Sequence, residues 1–593
     1  MMITRTRTRS ITARTIRCSV IGAAVGAALS GQAIAFEIDT NNPDVQMRWD
    51  NTLRYNWAQR VGHRDKKIAA APNFDEGNYL FDKGDTVSSR LDVLSELDFV
   101  YKKNMGFRVS AALWYDDAYG DKGKSNPAIA NPSYINNEFS PFVKRYYHGP
   151  SGEFLDAFAF TNFNAGDVPI KLKVGQHTVT WGEGLFLGGA MHGVSYSQAP
   201  LDLQKGFATP GVEAKELFRP LDQISAQAQI TDKLSIAAEY FLDWQPFRYP
   251  EGGTFLGPVD FAFNGPDRVV VAQLPNIAPL GPYAGALIGA KRGNAATPER
   301  SGEYGLAARW SPEMLDGTMG FYYRRFADKM PQLLLTNIAL TPAAFPASIS
   351  NLPLVTGSTY NLIYADHIDL YGISLAKNIA GVSFGAELSY RRNTPLTSKV
   401  LGVALGLPSK GDTKGPRGDT YHGLVNALGT IASTPLFDAA IWATELTWSR
   451  WNKVRSGANL FNAVGFAGCS TLTGAPLGKD SGCATKNYVG IAAAFTPTWY
   501  QVMPGYDLSM PLTYSVGLNG NAATTFGGND GLGSFSVGLG LDIRLKYKVD
   551  LKYSGYMGNY QTNAAGTQVV SQNGFTTLLK DRDFLSLTFK TSF

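Results

Sequence analysis

The feature that most constrains this chain is a two-residue alternation sustained over unusually long segments. Val45, Met47, Trp49, Leu53, Tyr55 and Trp57 fall on one face; Gln46, Arg48, Asp50, Thr52, Arg54 and Asn56 fall on the other. Phe535, Val537, Leu539, Leu541, Ile543 and Leu545 alternate with Ser536, Gly538, Gly540, Asp542 and Arg544, and Val382 to Arg391 behaves likewise. Period two is the signature of a β-strand. These strands run to about ten residues or more, against the usual ~5–6, and tilted strands of ~9–11 residues cross a bilayer. A soluble sandwich also alternates, so the punctuation has to decide. Short turns near 102–104, 164–169, 231–233, 377–380, 433–436 and 546–548 alternate with long segments, the pattern of outer-membrane barrels. Eighteen strands are predicted, starting near residues 45, 88, 105, 155, 170, 222, 234, 303, 318, 368, 381, 422, 437, 488, 506, 533, 549 and 583. Sixteen is the next count, because the strands near 155 and 170 are weak. An even count puts both termini on the short-turn, periplasmic side. The predicted fold is therefore all-β, a transmembrane antiparallel barrel forming a single domain over 36–593. Its long apolar external loops are expected at 244–302 and 327–367.

Composition removes other classes. Charged residues make up 17% and aromatics 12%, which excludes intrinsic disorder. No stretch beyond residue 35 offers ~18 unbroken apolar residues, so helical spans are not expected. The formal charge of +5 misleads, since 54 basic residues face 49 acidic ones and five of the arginines lie before residue 18. The remainder balances, leaving no case for a nucleic-acid partner. Residues 1–35 read as a secretory signal peptide: basic start, apolar middle, and Ala33-Ile34-Ala35 before Phe36. Cys469 and Cys483, 14 positions apart, are expected to form a disulfide in an exported protein. The chain ends on an alternating strand with Leu585, Leu587, Phe589 and Phe593 on one face. Such an aromatic end resembles the signal read by bacterial barrel-assembly machinery.

One region goes beyond generic barrel patterning. Ile170 to His177 leads through Val179-Thr180 into Trp181-Gly182-Glu183; Pro200-Leu201-Asp202, Pro210-Gly211-Val212-Glu213-Ala214-Lys215-Glu216 and Arg219-Pro220 follow. Together with Pro504-Gly505-Tyr506-Asp507-Leu508 and Pro511, these stretches resemble the exported proteobacterial family called domain of unknown function 1302. The resemblance implies an outer-membrane barrel of a Gram-negative bacterium. It also implies traffic of hydrophobic molecules, with an envelope exporter and a periplasmic lipid carrier as partners beside outer-membrane lipid and lipopolysaccharide. It carries no catalytic residue.

The segment 181–221 is dense in charge. Trp181, Glu183, His192, Asp202, Lys205, Glu213, Lys215, Glu216 and Arg219 are the candidate constriction residues, if the segment folds into the lumen. The alternative is an external loop salt-bridged to its neighbours, with Trp181 at the lipid interface. The lumen wall is expected to carry Arg48, Arg54, Arg90, Asp92, Glu96, Asp98, Arg108, Glu387, Arg391, Glu445, Asp542, Arg544, Asp550 and Lys552, mixed in sign and mainly salt-bridged. Residues 269–290 and 331–365 hold no charge at all; they read as loops packed on each other as a cap, or as a greasy vestibule for an apolar solute. Six scattered histidines show no metal-ligand spacing. Gly381-Val382-Ser383-Phe384-Gly385 has the letters of a nucleophile elbow but lies inside an alternating strand. Neither a catalytic residue, a metal nor a cofactor is expected. The expected function is passive passage or capture of a hydrophobic or amphipathic small molecule. A lipid-active enzyme and a structural or adhesion barrel with a closed lumen are the alternatives.

Overall fold

The computed structural model describes residues 36–593 except 130–131, 210–211, 213, 275, 338–356, 400, 403–405 and 472–473. Eighteen strands form the barrel. In chain order they are β1 (Val45–Arg60), β2 (Thr86–Tyr101), β3 (Met105–Asp116), β4 (Ser151–Ala165), β5 (Val168–His177), β6 (Leu221–Thr231), β7 (Leu234–Phe241), β8 (Tyr304–Trp310) and β9 (Thr318–Phe326). Next come β10 (Ile368–Ile379), β11 (Val382–Pro395), β12 (Arg417–Ile431), β13 (Ala439–Ser456), β14 (Asn487–Met503) and β15, which is broken into Tyr506–Ser509 and Leu512–Asn519. The last are β16 (Gly533–Ile543), β17 (Tyr547–Met557) and β18 (Phe584–Ser592). Each pairs antiparallel with its neighbours in sequence, and β18 returns to β1 with Arg60 opposite Phe584 and Thr52 opposite Ser592. Closure leaves no open edge, the condition for a sheet in lipid.

The alternation sorts the faces. Val425, Ile373, Leu446 and Val537 stand exposed on the outside, 54% in the case of Val425. The opposite faces of the same strands bury Glu387, Arg391, His422 and Glu445. Tyr323, Tyr371, Tyr390 and Tyr421 lie directly opposite one another on successive strands, forming an outward tyrosine row. Trp49, Trp310 and Tyr500 are exposed nearer the other end. Two aromatic girdles flanking an apolar band are what a membrane-spanning barrel displays.

The short turns cluster at one end. Three of them place two consecutive residues in the left-handed region: Lys102 and Lys103, Ala380 and Gly381, Arg544 and Leu545. Tight hairpin turns favour two successive left-handed residues because their twist matches the strands. It also corrects one expectation. The alternation of β16 stops at Ile543, so Arg544 is an exposed turn residue and not part of the lumen wall. Asp542 stays in the strand, opposite Asp507 and Lys548.

At the other end the long segments interlock. The uncharged stretches pair with each other in a five-stranded sheet ordered Leu401–Gly402, Gln332–Thr336, Thr359–Ile363, Leu287–Arg292 and Arg268–Gln273. Leu334, Ile363 and Ile288 are fully buried there. The part of the stretch holding Phe345 and Leu352–Val355 lies outside the described residues. The first half of 244–302 is not an external loop. It turns into the barrel mouth and buries Glu251, Thr254 and Asp260, held where Arg582 donates to the carbonyls of Phe255 (2.8 Å) and Gly257 (2.7 Å). Cys469 and Cys483 are joined in a disulfide within the long segment between β13 and β14, both buried.

Candidate functional site

The stretch joining β5 to β6 decides what the lumen can do. It does not lie outside. The described residues of 178–220 cross the lumen from one wall to the opposite one, because their partners sit on β11–β13 at one end and on β1–β2 at the other, half the ring apart. Leu221 already belongs to β6.

At the first wall, side chains hold backbone. Glu387 accepts the N–H of Val194 at 2.6 Å and that of Glu183. Glu445 accepts from Leu185 and Gly189, both at 2.7 Å, and from Phe186 at 3.3 Å. Arg391 on β11 donates to the carbonyls of Met191 (3.0 Å) and Gly193 (3.1 Å), and Arg324 on β9 to those of Val194 (3.1 Å) and Tyr196 (2.7 Å). Gly182 and Gly189 permit this approach. Gly182 has φ near 91°, and a Cβ on it would strike the Glu387 carboxylate; one on Gly189 would lie 2.7 Å from Glu445 Oε2. A carboxylate that accepts several backbone N–H groups is stabilised as a charge even when buried. These wall charges therefore serve as anchors for an irregular segment whose polar backbone would otherwise lie unpaired.

His192 reaches His422 of β12 at 2.9 Å, Nδ1 to Nδ1. Its Nε2 faces the carbonyl of Gly527 at 2.7 Å, and His422 Nε2 faces the hydroxyl of Thr420 at 2.9 Å. One assignment satisfies every contact: Thr420 donates to His422 Nε2, His422 Nδ1–H donates to His192 Nδ1, and His192 Nε2–H donates to Gly527, with both rings neutral. Trp181 is buried against Tyr322 (ring centroids 6.0 Å) inside the barrel, away from lipid.

At the opposite wall, charge meets charge. Arg54 donates to both carboxylate oxygens of Glu216, at 2.8 and 3.1 Å, and lies 3.7 Å from Asp92. Lys215 pairs with Glu96. Asp202 caps the short helix Leu203–Ala208 by accepting from Lys205 N, and binds Arg248 at 3.0 Å, which is also bonded to Glu153 at 2.7 Å. Arg219 donates to the Pro246 carbonyl at 3.2 Å and to Gln245. Glu213 lies outside the described residues.

Between this helix, the wall and the inturned cap lies a cavity of about 50 Å³. Trp114, Tyr119, Phe255 and Leu256 supply an apolar, aromatic side, while Arg90, Lys205 and Arg248 share the polar side with Asp116, Glu153 and Asp202. Arg90 is shared with Asp92 at 3.0 Å. Lys205 is only 7% exposed, yet its nearest carboxylate among the described residues is Glu153 at 4.0 Å, beyond hydrogen-bond reach. Its ammonium lies 5.7 Å from the Trp114 ring centroid. The volume holds a few waters or a small head group.

Toward the short turns the lumen loosens. Asp98 and Arg108 pair at 2.7 Å while both stay partly solvated, and Arg48 is 59% exposed beside Asp50 at 2.6 Å. Asp550 and Lys548 approach only to 3.9 Å.

Sequence reasoning named Glu387, Arg391 and Glu445 as wall residues but not their backbone partners. It missed Arg324, Arg248 and Asn426, the last donating to the Glu183 carbonyl at 2.5 Å; inward alternation on β9 and β12 is the signal that could have found two of them. It also missed a serine–histidine pair, His177 Nε2 to Ser225 Oγ at 2.7 Å, in which His177 Nδ1 faces the carbonyl of Gly175 at 2.9 Å and no carboxylate. Among the described residues no group of three or more histidine, cysteine, aspartate or glutamate side chains could hold a metal ion.

A family described as a protein of unknown function (DUF1302) matches residues 16–593. Solved structures similar to the chain include Pseudomonas aeruginosa OpdK with vanillate, 9% identical over 92% of this chain and 98% of that one, TM-score 0.38. Pseudomonas aeruginosa OccK9 (OpdG) is 9% identical over 92% and 98%, TM-score 0.39, and Acinetobacter baumannii OccAB3 is 8% identical over 92% and 99%, TM-score 0.38. No curated protein matches the chain.

Proposed function

The chain belongs to that family, and we propose that it is a gated passive passage for amphipathic small molecules in the outer membrane of a Gram-negative bacterium. One observation carries the reading. The segment crossing the lumen meets the wall at a cavity that is aromatic on one side and charged on the other, where Arg90, Lys205 and Arg248 stand among Asp116, Glu153 and Asp202, with the buried lysine short of a hydrogen-bonding carboxylate. Such a lining suits a molecule with an apolar body and a polar end. The cavity is too small for a whole solute of that kind, so passage requires the helix Leu203–Ala208 or the inturned cap to shift. Two-sided anchoring explains why the resting state is closed. No chemical step is part of this reading, and the pair His177–Ser225 is taken as structural, because its third member is a carbonyl. On the same reading the last strand, ending in Phe593, addresses the barrel-assembly machinery, and an exporter and a periplasmic lipid carrier stand on the periplasmic side.

The test is flux into liposomes carrying the full-length barrel, with a labelled aromatic carboxylate as solute. Ala208→Trp fills the cavity and is expected to cut flux at least tenfold, and Lys205→Met at least threefold, both with heat-modifiable, folded protein. Unchanged flux in both variants overturns the reading.

A further inference from the structure

The outside of the barrel carries a second constellation. On β7–β12 the lipid-facing wall is concave, a groove of about 590 Å³ lined by Ile236, Leu306, Phe321, Ile373 and Leu388 and closed toward the long-segment end by the tyrosine row. One pair of residues further along the same face, Arg325, Asp369 and Arg392 sit opposite one another on β9, β10 and β11. Arg450 stands beside Tyr421 on β13.

The carboxylates of this rim are already engaged. Tyr323 donates to Asp369 at 3.1 Å. Asp419 accepts from Tyr390 at 2.8 Å and from Arg455 at 2.5 and 2.8 Å. Arg325, Arg392 and Arg450 make no ion pair with a carboxylate within 4 Å among the described residues. Three guanidiniums without carboxylate partners thus stand at the level where an aromatic girdle meets head groups.

We propose that this face binds a phosphate-bearing acylated lipid of the outer leaflet, its phosphate held between Arg325 and Arg392 on alternate strands, Arg450 two strands further on adding positive charge to the same rim, and one acyl chain laid in the groove. An acyl chain gains little by moving from lipid to an equally apolar wall, so the groove sets position and the head group sets affinity. Guanidinium binds phosphate through paired N–H groups, which makes charge the discriminating property.

The test uses the full chain purified in a neutral detergent and mixed with equal amounts of phosphatidylglycerol and phosphatidylcholine, bound lipid being counted by native mass spectrometry. The anionic lipid is expected to be retained at least tenfold more. Arg325→Gln, Arg392→Gln and Arg450→Gln combined should bring the ratio within twofold of one while the protein keeps its heat-modifiable mobility. In a second arm, millimolar inorganic phosphate should leave the retained lipid unchanged. Equal retention of the two lipids by the native chain, a preserved ratio in the triple variant, or displacement of the lipid by free phosphate would each overturn the proposal.

Discussion

The two halves of the lumen are built from the same residue types on the same alternating strands, yet the charges do different work in each. Toward the long segments, Glu387, Arg391, Glu445 and Arg54 are buried and bonded to a segment that crosses the barrel. Toward the short turns, Arg48 pairs with Asp50 and Arg108 with Asp98, and both pairs keep contact with water. A wall charge is thus an anchor or a solvated lining according to what lies across the lumen. Removing one partner of a buried charged pair costs about 3–5 kcal/mol, whereas an exposed pair contributes about 0–1 kcal/mol.

The contrast can be broken most directly at the anchors. Glu387→Ala with Glu445→Ala leaves five backbone N–H groups without acceptors and should release the stretch 182–194. Single-channel conductance in planar bilayers is expected to rise severalfold; conductance equal to the native value would remove the anchoring role. At the opposite wall, Arg54→Ala removes a buried guanidinium bonded to both carboxylate oxygens of Glu216 and should lower stability to urea by about 3–5 kcal/mol, read from the unfolding midpoint in detergent. Asp98→Asn, in the solvated half, should shift that midpoint by less than about 1 kcal/mol; equal effects of the two substitutions would erase the distinction.

The cap adds a pH dependence with a definite sign. Burial pushes Asp75 up to about 8, with the Asp260 charge adding to it, while burial raises Glu251 to about 8 and Asp260 to about 6. These carboxyls stay protonated in the folded cap at pH values where an unfolded chain has lost its protons. The folded state therefore binds more protons between about pH 4 and 8, and its stability falls as pH rises through that window. Limited proteolysis within 250–265 should accelerate from pH 5 to pH 9. Cleavage that is flat or slower at pH 9 would contradict the assignment. The smallest effect concerns a turn. Lys103→Gly relieves a left-handed lysine and should stabilise by less than about 1 kcal/mol, since glycine's own entropy cost offsets part of the gain.

Strand positions were legible because the period-two pattern is local. The expected starts at 45, 105, 234, 318, 368, 506 and 533 coincide with those observed, and 88, 155 and 170 fall within four residues of 86, 151 and 168. The start at 422 was late by five because Arg417–Thr420 pairs with the far end of β13, a match visible only across strands. Pro511, which has no N–H to give, breaks β15 where one continuous strand was expected. The site was less legible. That Glu445 faces Gly189 while Arg54 faces Glu216 depends on which strands lie half a turn of the ring apart, and that follows from closure, not from any window of sequence. The hydrophobic pattern likewise shows that 331–365 must be covered, but not that 359–363 would pair with 287–292 and 332–336 to cover it.

The seam of the barrel has a practical consequence. β18 runs along β1 until Phe593 exchanges backbone hydrogen bonds with Asn51, and the strip Phe36–Ile38 takes up the same edge from Trp49 onward, in the same direction. Among the described residues, only the position opposite Asp50 has no strand partner between them. In a variant that begins at Phe36, joining Phe593 to Phe36 through a single residue would fuse the two pieces into one uninterrupted strand, so a circularly permuted barrel could be opened at any of the short hairpins without disturbing the ring.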